Sequence, residues 1–392
     1  MQLLLLLIVA GGGEARGAVA DSVRMSLLTC SPHEEIYSLY GHSALRVQNA
    51  LTGQDLVVNY GVFNFHKPHF VLRFVFGLTD YEMGVTPMTN FLYEYSYYHS
   101  GVTEQEINLS GAEKEAILRA LDENALPENV VYRYNYFYDN CTTRARDMLT
   151  NHLQGKVVYA SPADSTLTYR DMVHQCTAGH LWMQTGIDLL LGIGADRVLT
   201  AREQQFLPAF LMRDFSQAQI VGTDGSVRPL VARTTTLLEP GEQVRGKEFP
   251  LSPLATFGLF FVLTVAITVT EFFSRKVLYL YDLLLMLLTG LAGILIFSMI
   301  FSQHPTVRVN LHLLLLNPLP LFFLYPAIRR ERDRQSHCWW NLSAALAVLY
   351  IIGGLFQCYP PSMYFLASSL LLRDITRRWL LRRSSAAEGR KK

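Results

Sequence analysis

Past Pro250 the chain runs through four apolar stretches, Leu254 to Phe273, Leu278 to Phe301, Leu311 to Ile328 and Trp339 to Cys358, each long enough to cross a bilayer. Nothing else in the sequence constrains the fold as strongly. Backbone polar groups inside a bilayer must be satisfied within the protein, so stretches of this kind become helices. A fifth apolar run, Met363 to Leu372, is shorter. It either spans with help from Pro361 and the flanking residues or lies in the interface. Basic residues set the direction. Arg275 and Lys276 sit between the first two stretches and Arg329, Arg330, Arg332 and Arg334 between the third and fourth. The tail from Arg373 to Lys392 is rich in Arg and Lys, whereas the other two loops carry only Arg308. The positive-inside rule then puts those three regions in the cytoplasm and the chain before Pro250 outside. The expectation is an all-α helical membrane domain of about five spans over residues 251–392, with a basic cytoplasmic tail.

The N-terminus agrees with this direction. Leu3 to Ala10 is too short to span, and Ala18-Val19-Ala20 is a small-x-small site, so residues 1–20 read as a signal peptide cleaved before Asp21. The exported part, Asp21 to about Phe249, is long enough for a sizeable core. A net charge of +1 offers no bulk electrostatic attraction for nucleic acid. The five cysteines, Cys30, Cys141, Cys176, Cys338 and Cys358, form no CxxC or Cys/His cluster with zinc spacing, so neither a metal nor another cofactor is expected. An odd count leaves a thiol unpaired in an exported chain unless it bridges to another chain.

Within the exported part, "VRMSLLTC" reads as a strand and "IYSLYGHSALRV" leads into a second, in which Ser43, Leu45 and Val47 alternate with His42, Ala44 and Arg46. "NALTGQ" is a turn and "DLVVNYGVFNF" the returning strand. If Asn49 pairs opposite Gln54, Ala44 faces Asn59, and Asn59 becomes a diagonal neighbour of His42 on one face. A slip of one residue would remove that contact. The aromatic-dense segments "HFVLRFVFGLTDYEMGV" and "FLYEYSYYHSGVTEQEINLS" read as strands and their packing, or as an acyl-chain groove or a surface resting on lipid. Ser110 and Glu113 form a capping box ahead of the amphipathic "AEKEAILRALDENAL". "VVYRYNYFY" is expected as a strand. Residues 161–250 are expected as a helical extension, with "GIDLLLG" a buried turn and "AQIVGTDGSVRPLVARTTTLL" a hairpin leading to the membrane.

"YDNCTTRARDML" carries the chemistry. Asp139 or Asn140 can cap a helix whose inward face holds Cys141, Ala145, Met148 and Leu149. Unpaired amides at a helix N-terminus favour a thiolate. A nucleophilic thiolate needs a base, and His42 oriented by Asn59 fits that need. Amides at the same helix end suit an oxyanion. The same residues also allow a packed thiol, or a disulfide from Cys141 to Cys30 or Cys176. His33, His66, His69 and His99 compete as bases, although they sit in turn or aromatic contexts. Asn310, His312 and Asn317, with Pro318 and Pro320, make the third apolar stretch a broken helix that lipid alone would not tolerate. These polar groups either pack between helices or, with His304 at the outer mouth, help line the exported site. Asp282 reads as structural.

A histidine on an early strand ("YGHSALRV") followed much later by Asn-Cys opening a helix ("DNCTTRARD") resembles the circularly permuted papain-like thiol enzymes, the group of lecithin:retinol acyltransferase. Papain itself has the reverse order. Thr142-Thr143-Arg144 after the cysteine depart from the group's pattern, and Asn59 stands where the retinol enzyme has a second histidine. Over the whole chain, "LLTCSPHEEIYSLYGHSALRV", "NYGVFNF", "YDNCTTRARD", "GIDLLLG", "FLP" and "HPTVRVNLHLLLLNPLP" resemble the Lnb-type lipoprotein N-acyltransferases, from about Ser26 to Leu372. That resemblance implies an α+β permuted papain-like thiol-enzyme domain over residues 21–160, joined to the helical membrane domain. It further implies an inner-membrane protein with a periplasmic catalytic domain. Its partners are a phospholipid acyl donor and a diacylated lipoprotein acceptor, and the acyl chain moves through a Cys141 thioester served by His42 and Asn59. Candidate substrate-binding residues are Asn140, Arg46 and Arg144, with His304, Asn310 and Asn317 from the membrane part; Arg46, Arg144 and Arg308 are the candidates to hold the donor phosphate. The alternatives are a membrane-tethered cysteine peptidase or amidase acting on cell-envelope peptides, which would use the same pair of residues, and a non-catalytic receptor.

Overall fold

The structure is a computed structural model describing residues 22–33, 35, 38–63, 68–160, 166–242 and 249–389. The expected signal peptide and His66 lie outside the described residues. The chain divides into two compact units. One is built from the chain up to Met172 together with Val198–Lys247, the other from Val173–Arg197 with Glu248–Lys392.

The first unit opens with β1 (Val23–Cys30), β2 (His42–Asn49) and β3 (Gln54–Val62), then α1 (Phe70–Val75), β4 (Asp80–Pro87), α2 (Met88–Tyr97) and β5 (Val102–Ile107). It continues through α3 (Gly111–Asn124), β6 (Val131–Arg133), α4 (Cys141–Thr150) and β7 (Lys156–Val158). Helix α5 (Tyr169–Thr177) carries the chain out to the second unit, where α6 (Leu181–Leu190) lies. The chain returns through α7 (Ala201–Gln204), α8 (Pro208–Gln217), β8 (Gln219–Val221), β9 (Val227–Pro229) and β10 (Val231–Leu238). Among the described residues seven strands form one antiparallel sheet in the order β10-β5-β1-β2-β3-β4-β6, and β7-β8-β9 form a smaller one.

The large sheet is buried on both faces. Leu27, Leu45, Val58 and Tyr60 share a core with Leu121, Ala145, Leu149 and Phe215, contributed by α3, α4 and α8. The opposite residues, Leu28, Cys30, Ala44 and Val57, pack with Met88 and Phe91 of α2. Asn49 faces Gln54 and Ala44 faces Asn59, the register that the alternating pattern and the turn demand.

Five segments differ from expectation. "FVLRFV" of the first aromatic-dense segment, expected as strand, is helical as α1. "FLYEYSYY" is helical within α2, because Met88, Phe91, Leu92 and Tyr95 recur at helical spacing and bury one stripe. That stripe outweighs the local strand preference of aromatics. Only Val131–Arg133 of "VVYRYNYFY" pairs as a strand; an Asn135–Asp139 bridge then closes a turn just before α4. "GIDLLLG" holds the last turns of α6 instead of a buried turn. The expected 161–250 extension is shared between the units: α8 supplies core residues to the first, and β10 forms its sheet edge beside β5. A buried stripe reveals that a segment packs, but not against which partner.

The second unit contains α9 (Pro253–Ser274), α10 (Tyr279–Ser298), α11 (Leu319–Arg332), α12 (Trp339–Gly353) and α13 (Pro361–Gly389). Among the described residues three segments are long and apolar enough to cross a membrane, Pro253–Ser274, Tyr279–Phe301 and Leu311–Arg332, and Trp339–Gly353 is apolar but shorter. The third is broken, as its prolines and asparagines suggest: a 3-10 turn at Leu311–Leu314 gives way at Asn317–Pro318 to α11. Gly293 of α10 lets that break approach, since a Cβ there would stand 2.2 Å from the Asn317 carbonyl carbon.

Charge holds four of these helices together. Arg373 and Arg377 of α13, both at most 1 % exposed, sit among Glu271 of α9, Asp282 of α10 and Glu331 of α11. Arg373 reaches Glu271 at 2.6 Å and Asp282 at 2.8 Å, and Arg377 Nε reaches Glu331 at 2.8 Å. Buried charges survive only in pairs, and deleting one partner strands the other. Arg373→Ala is expected to cost about 3–5 kcal/mol, read as a large fall in Tm in detergent. The exposed Arg24→Ala should leave Tm unchanged.

Candidate active site

Asn140 decides where α4 begins. Its Oδ1 accepts from the Thr143 N–H at 2.9 Å, while its own N–H donates to Thr143 Oγ1 at 2.9 Å, a closed capping box. Its Nδ2 donates to the carbonyls of Tyr136 and Phe206, both at 2.9 Å. Asp139, the other candidate cap, instead holds the Arg144 guanidinium at 2.6 and 2.8 Å, and Arg144 lies over the Tyr132 ring at 3.5 Å. Cys141 is thus the first helical residue. The Thr143 and Arg144 amides go to Asn140, and those of Cys141 and Thr142 have no carbonyl one turn back to bind.

His42 opens β2 beside it. Its Nε2–H donates to Asn59 Oδ1 at 3.1 Å, across the expected diagonal. An amide oxygen only accepts, so Nε2 carries the proton and Nδ1 is left for the Cys141 thiol, with which the ring hydrogen-bonds. The Ser43 N–H donates to the same sulfur. Gly61, within the irregularity of the β3–β4 ladder, adopts a left-handed conformation at φ 87°, and a Cβ there would stand 3.8 Å from Cys141 Cβ, an ordinary contact.

The electrostatics follow from this geometry. Burial pushes the Cys141 thiol up, but the charge of His42 and its hydrogen bond, with the Ser43 amide, outweigh it and bring the thiol down to about 7. Burial pulls His42 down, and Cys141 with the Asn59 bond outweighs that to raise it. The two groups shift in opposite directions, the thiol downward and the imidazole upward, which favours a thiolate beside an imidazolium.

The other singled-out residues lie elsewhere. All five cysteines are free thiols, so the Cys141 disulfide alternative is not formed. Cys30 is buried and pushed well up by that burial, despite a hydrogen bond to Tyr95; burial raises Cys176 to about 11. His33 stacks on Tyr98 at 4.4 Å, and His69 and His99 occupy left-handed turns. Arg46 is held on both edges, by Asp55 at 2.6 and 2.8 Å and by Glu104 at 3.0 and 3.1 Å. Asn140, expected against substrate, is 4 % exposed and spends its side chain on the backbone. In the second unit Asn310 donates to the Leu189 and Leu190 carbonyls and accepts from the His312 N–H and Gln357. Asn317 accepts from the Leu319 N–H, the His304 N–H donates to Ser302 Oγ, and Arg308 donates to the Ser302 carbonyl. The polar residues of the broken segment therefore satisfy irregular backbone. Sequence reasoning missed the Ser43 amide and Tyr95. A backbone donor leaves no trace in residue type, and Tyr95 is hidden in an aromatic run.

Residues 15–175 match the family model for the Lnb N-terminal periplasmic domain, and residues 245–385 match that for the Lnb transmembrane domain. The chain belongs to the Lnb family. It is a membrane protein with a periplasmic N-terminal domain, and the Lnb periplasmic match contains His42, Asn59 and Cys141. Neither the curated proteins nor the solved structures contain a match to the chain.

Two outcomes are expected. Iodoacetamide should alkylate Cys141 with a midpoint near pH 7. In His42→Ala the thiolate loses its cationic partner, so the midpoint rises by at least about one unit and the rate at pH 6 falls by at least about tenfold. Asn140→Ala should cost about 1–2 kcal/mol of stability in chemical unfolding, through loss of the cap.

Proposed function

We propose that the protein is a membrane-bound thiol acyltransferase of the inner membrane. It moves a fatty acyl chain from a phospholipid, through a thioester on Cys141, to the N-terminal amine of diacylglyceryl-cysteine lipoproteins. The observation that carries this reading is the acidified Cys141 thiol at a helix start beside His42, itself held by Asn59, in a chain that bears both Lnb domains. Acyl esters of phospholipid lie at the outer leaflet, where an exported thiol domain on a helical anchor would meet them. Five helices, α9 to α13, and basic loops after α9 and α11 support five spans with the C-terminus in the cytoplasm.

The chemistry is ordinary thiol acyl transfer. The Cys141 thiolate attacks the ester carbonyl, and the oxyanion meets the Cys141 and Thr142 amides. The His42 imidazolium gives its Nδ1 proton to the departing alkoxide, leaving a lysophospholipid and the acyl thioester. The lipoprotein amine then attacks the thioester carbonyl, neutral His42 takes the amine proton, and the thiolate departs, restoring the starting pair. Asn59 keeps Nε2 occupied throughout, so that Nδ1 alone exchanges protons.

Intact mass of the detergent-purified protein, supplied with phospholipid but no acceptor, tests this. A fatty-acyl increment that neutral hydroxylamine removes and that Cys141→Ala lacks is expected. His42→Ala should slow transfer by about 10²–10⁴-fold, and Asn59→Ala by less. Full transfer by Cys141→Ala would sink the reading; cleavage of envelope peptides without acyl transfer would favour a tethered peptidase or amidase.

A further inference from the structure

One nucleophilic side chain beside the reacting pair has no part in the mechanism. Cys30 is the Cα partner of His42 across the β1–β2 ladder and is 1 % exposed. Its thiol hydrogen-bonds the Tyr95 hydroxyl. Tyr95 comes from α2, on the sheet face that Cys30, Ala44 and Val57 occupy. Its ring lies nearly parallel to the His42 imidazole, with an interplanar angle of 12° and centroids 6.5 Å apart. Phe91, one turn earlier on α2, packs on the Tyr95 ring at 4.6 Å. The tyrosine is thereby fixed at its hydroxyl by β1 and at its ring by its own helix.

His42 needs such a contact. The hydrogen bond to Asn59 fixes one atom, Nε2, and a ring held at one atom still rocks about that bond. An offset, parallel ring beside it limits the rocking motion. A thiol suits the far end of this arrangement, being small enough for a dense core and able to bond a phenol weakly without carrying charge.

We propose that Tyr95, anchored by Cys30, is a positioning residue that holds the His42 ring in the orientation that serves Cys141. The proposal rests on Cys141 and His42 being the reacting pair. The titratable groups that act on His42 or on Tyr95 are Cys141, Cys30 and Glu94.

The test is the pH profile of Cys141 alkylation by iodoacetamide in the full-length, detergent-purified protein, read by peptide mass spectrometry so that the other thiols are separated. Tyr95→Leu keeps apolar bulk but loses the flat ring. It should move the acid limb up by about one pH unit, slowing alkylation at pH 6 about tenfold, with kcat for acyl transfer reduced by a similar factor and KM within about twofold. Tyr95→Phe, which keeps the ring and loses the anchor, should fall between. A Tyr95→Leu protein with the wild-type acid limb overturns the proposal, even if its Tm drops. If Tyr95→Leu does not fold, Cys30→Ala decides: a shifted limb supports the anchor, and an unshifted one overturns it. A wild-type profile with no acid limb near pH 7 would remove the thiolate–imidazolium pair itself, a failure distinct from that of Tyr95.

Discussion

A single buried amide side chain that no substrate could reach sets the geometry of the candidate site. Asn140 uses its oxygen on the first turn of α4 and its nitrogen on two carbonyls, one of them on Phe206, 66 residues further along the chain. The start of a helix fixes the direction of every side chain after it, at about 100° per residue. Had α4 begun one residue earlier or later, the Cys141 thiol would have pointed away from His42. The capping box and the long-range bond to Phe206 together forbid that slip. The segment returning from the second unit is thus built into the site instead of being appended to it.

Two thiols flank His42, and their surroundings give them opposite states. Cys141 sits at a helix N-terminus with an imidazole and an amide aimed at its sulfur, and these outweigh the penalty of burial. Cys30 has burial without any comparable donor, only a phenol hydroxyl, and stays neutral. The same element in the same residue type becomes an acidic thiol in one place and a neutral, buried one in the other. Polar contacts make the difference, since both sulfurs are shielded from water to a large degree.

In the helical unit, buried polarity does structural work. Arg373 and Arg377 balance carboxylates from three other helices. Asn310, Asn317 and Gln357 supply the hydrogen bonds that a broken helix lacks. Each case obeys one rule: a polar group removed from water must be met by another. The asparagines expected to meet a substrate are hydrogen-bonded to the backbone.

Sequence alone determined several features, because they follow from local periodicity and short-range chemistry. The alternation in "GHSALRV" and the tight turn after it set the β2–β3 register, and with it the His42–Asn59 contact. The long apolar stretches made helices obligatory, and Asn-Pro in the third made a break. The position of Cys141 at a helix start was legible from Asn140 and the amphipathic residues behind it. Tertiary structure decided the rest, since those features depend on which surfaces meet. The aromatic run around Tyr95 became a helix only because one stripe of it could be buried on the sheet. The homes of α6 and α8 in different units, the pairing of β10 with β5 and the neutral state of Cys30 each required a partner distant in the chain. Periodicity tells a residue which way to face, but only packing supplies what it faces.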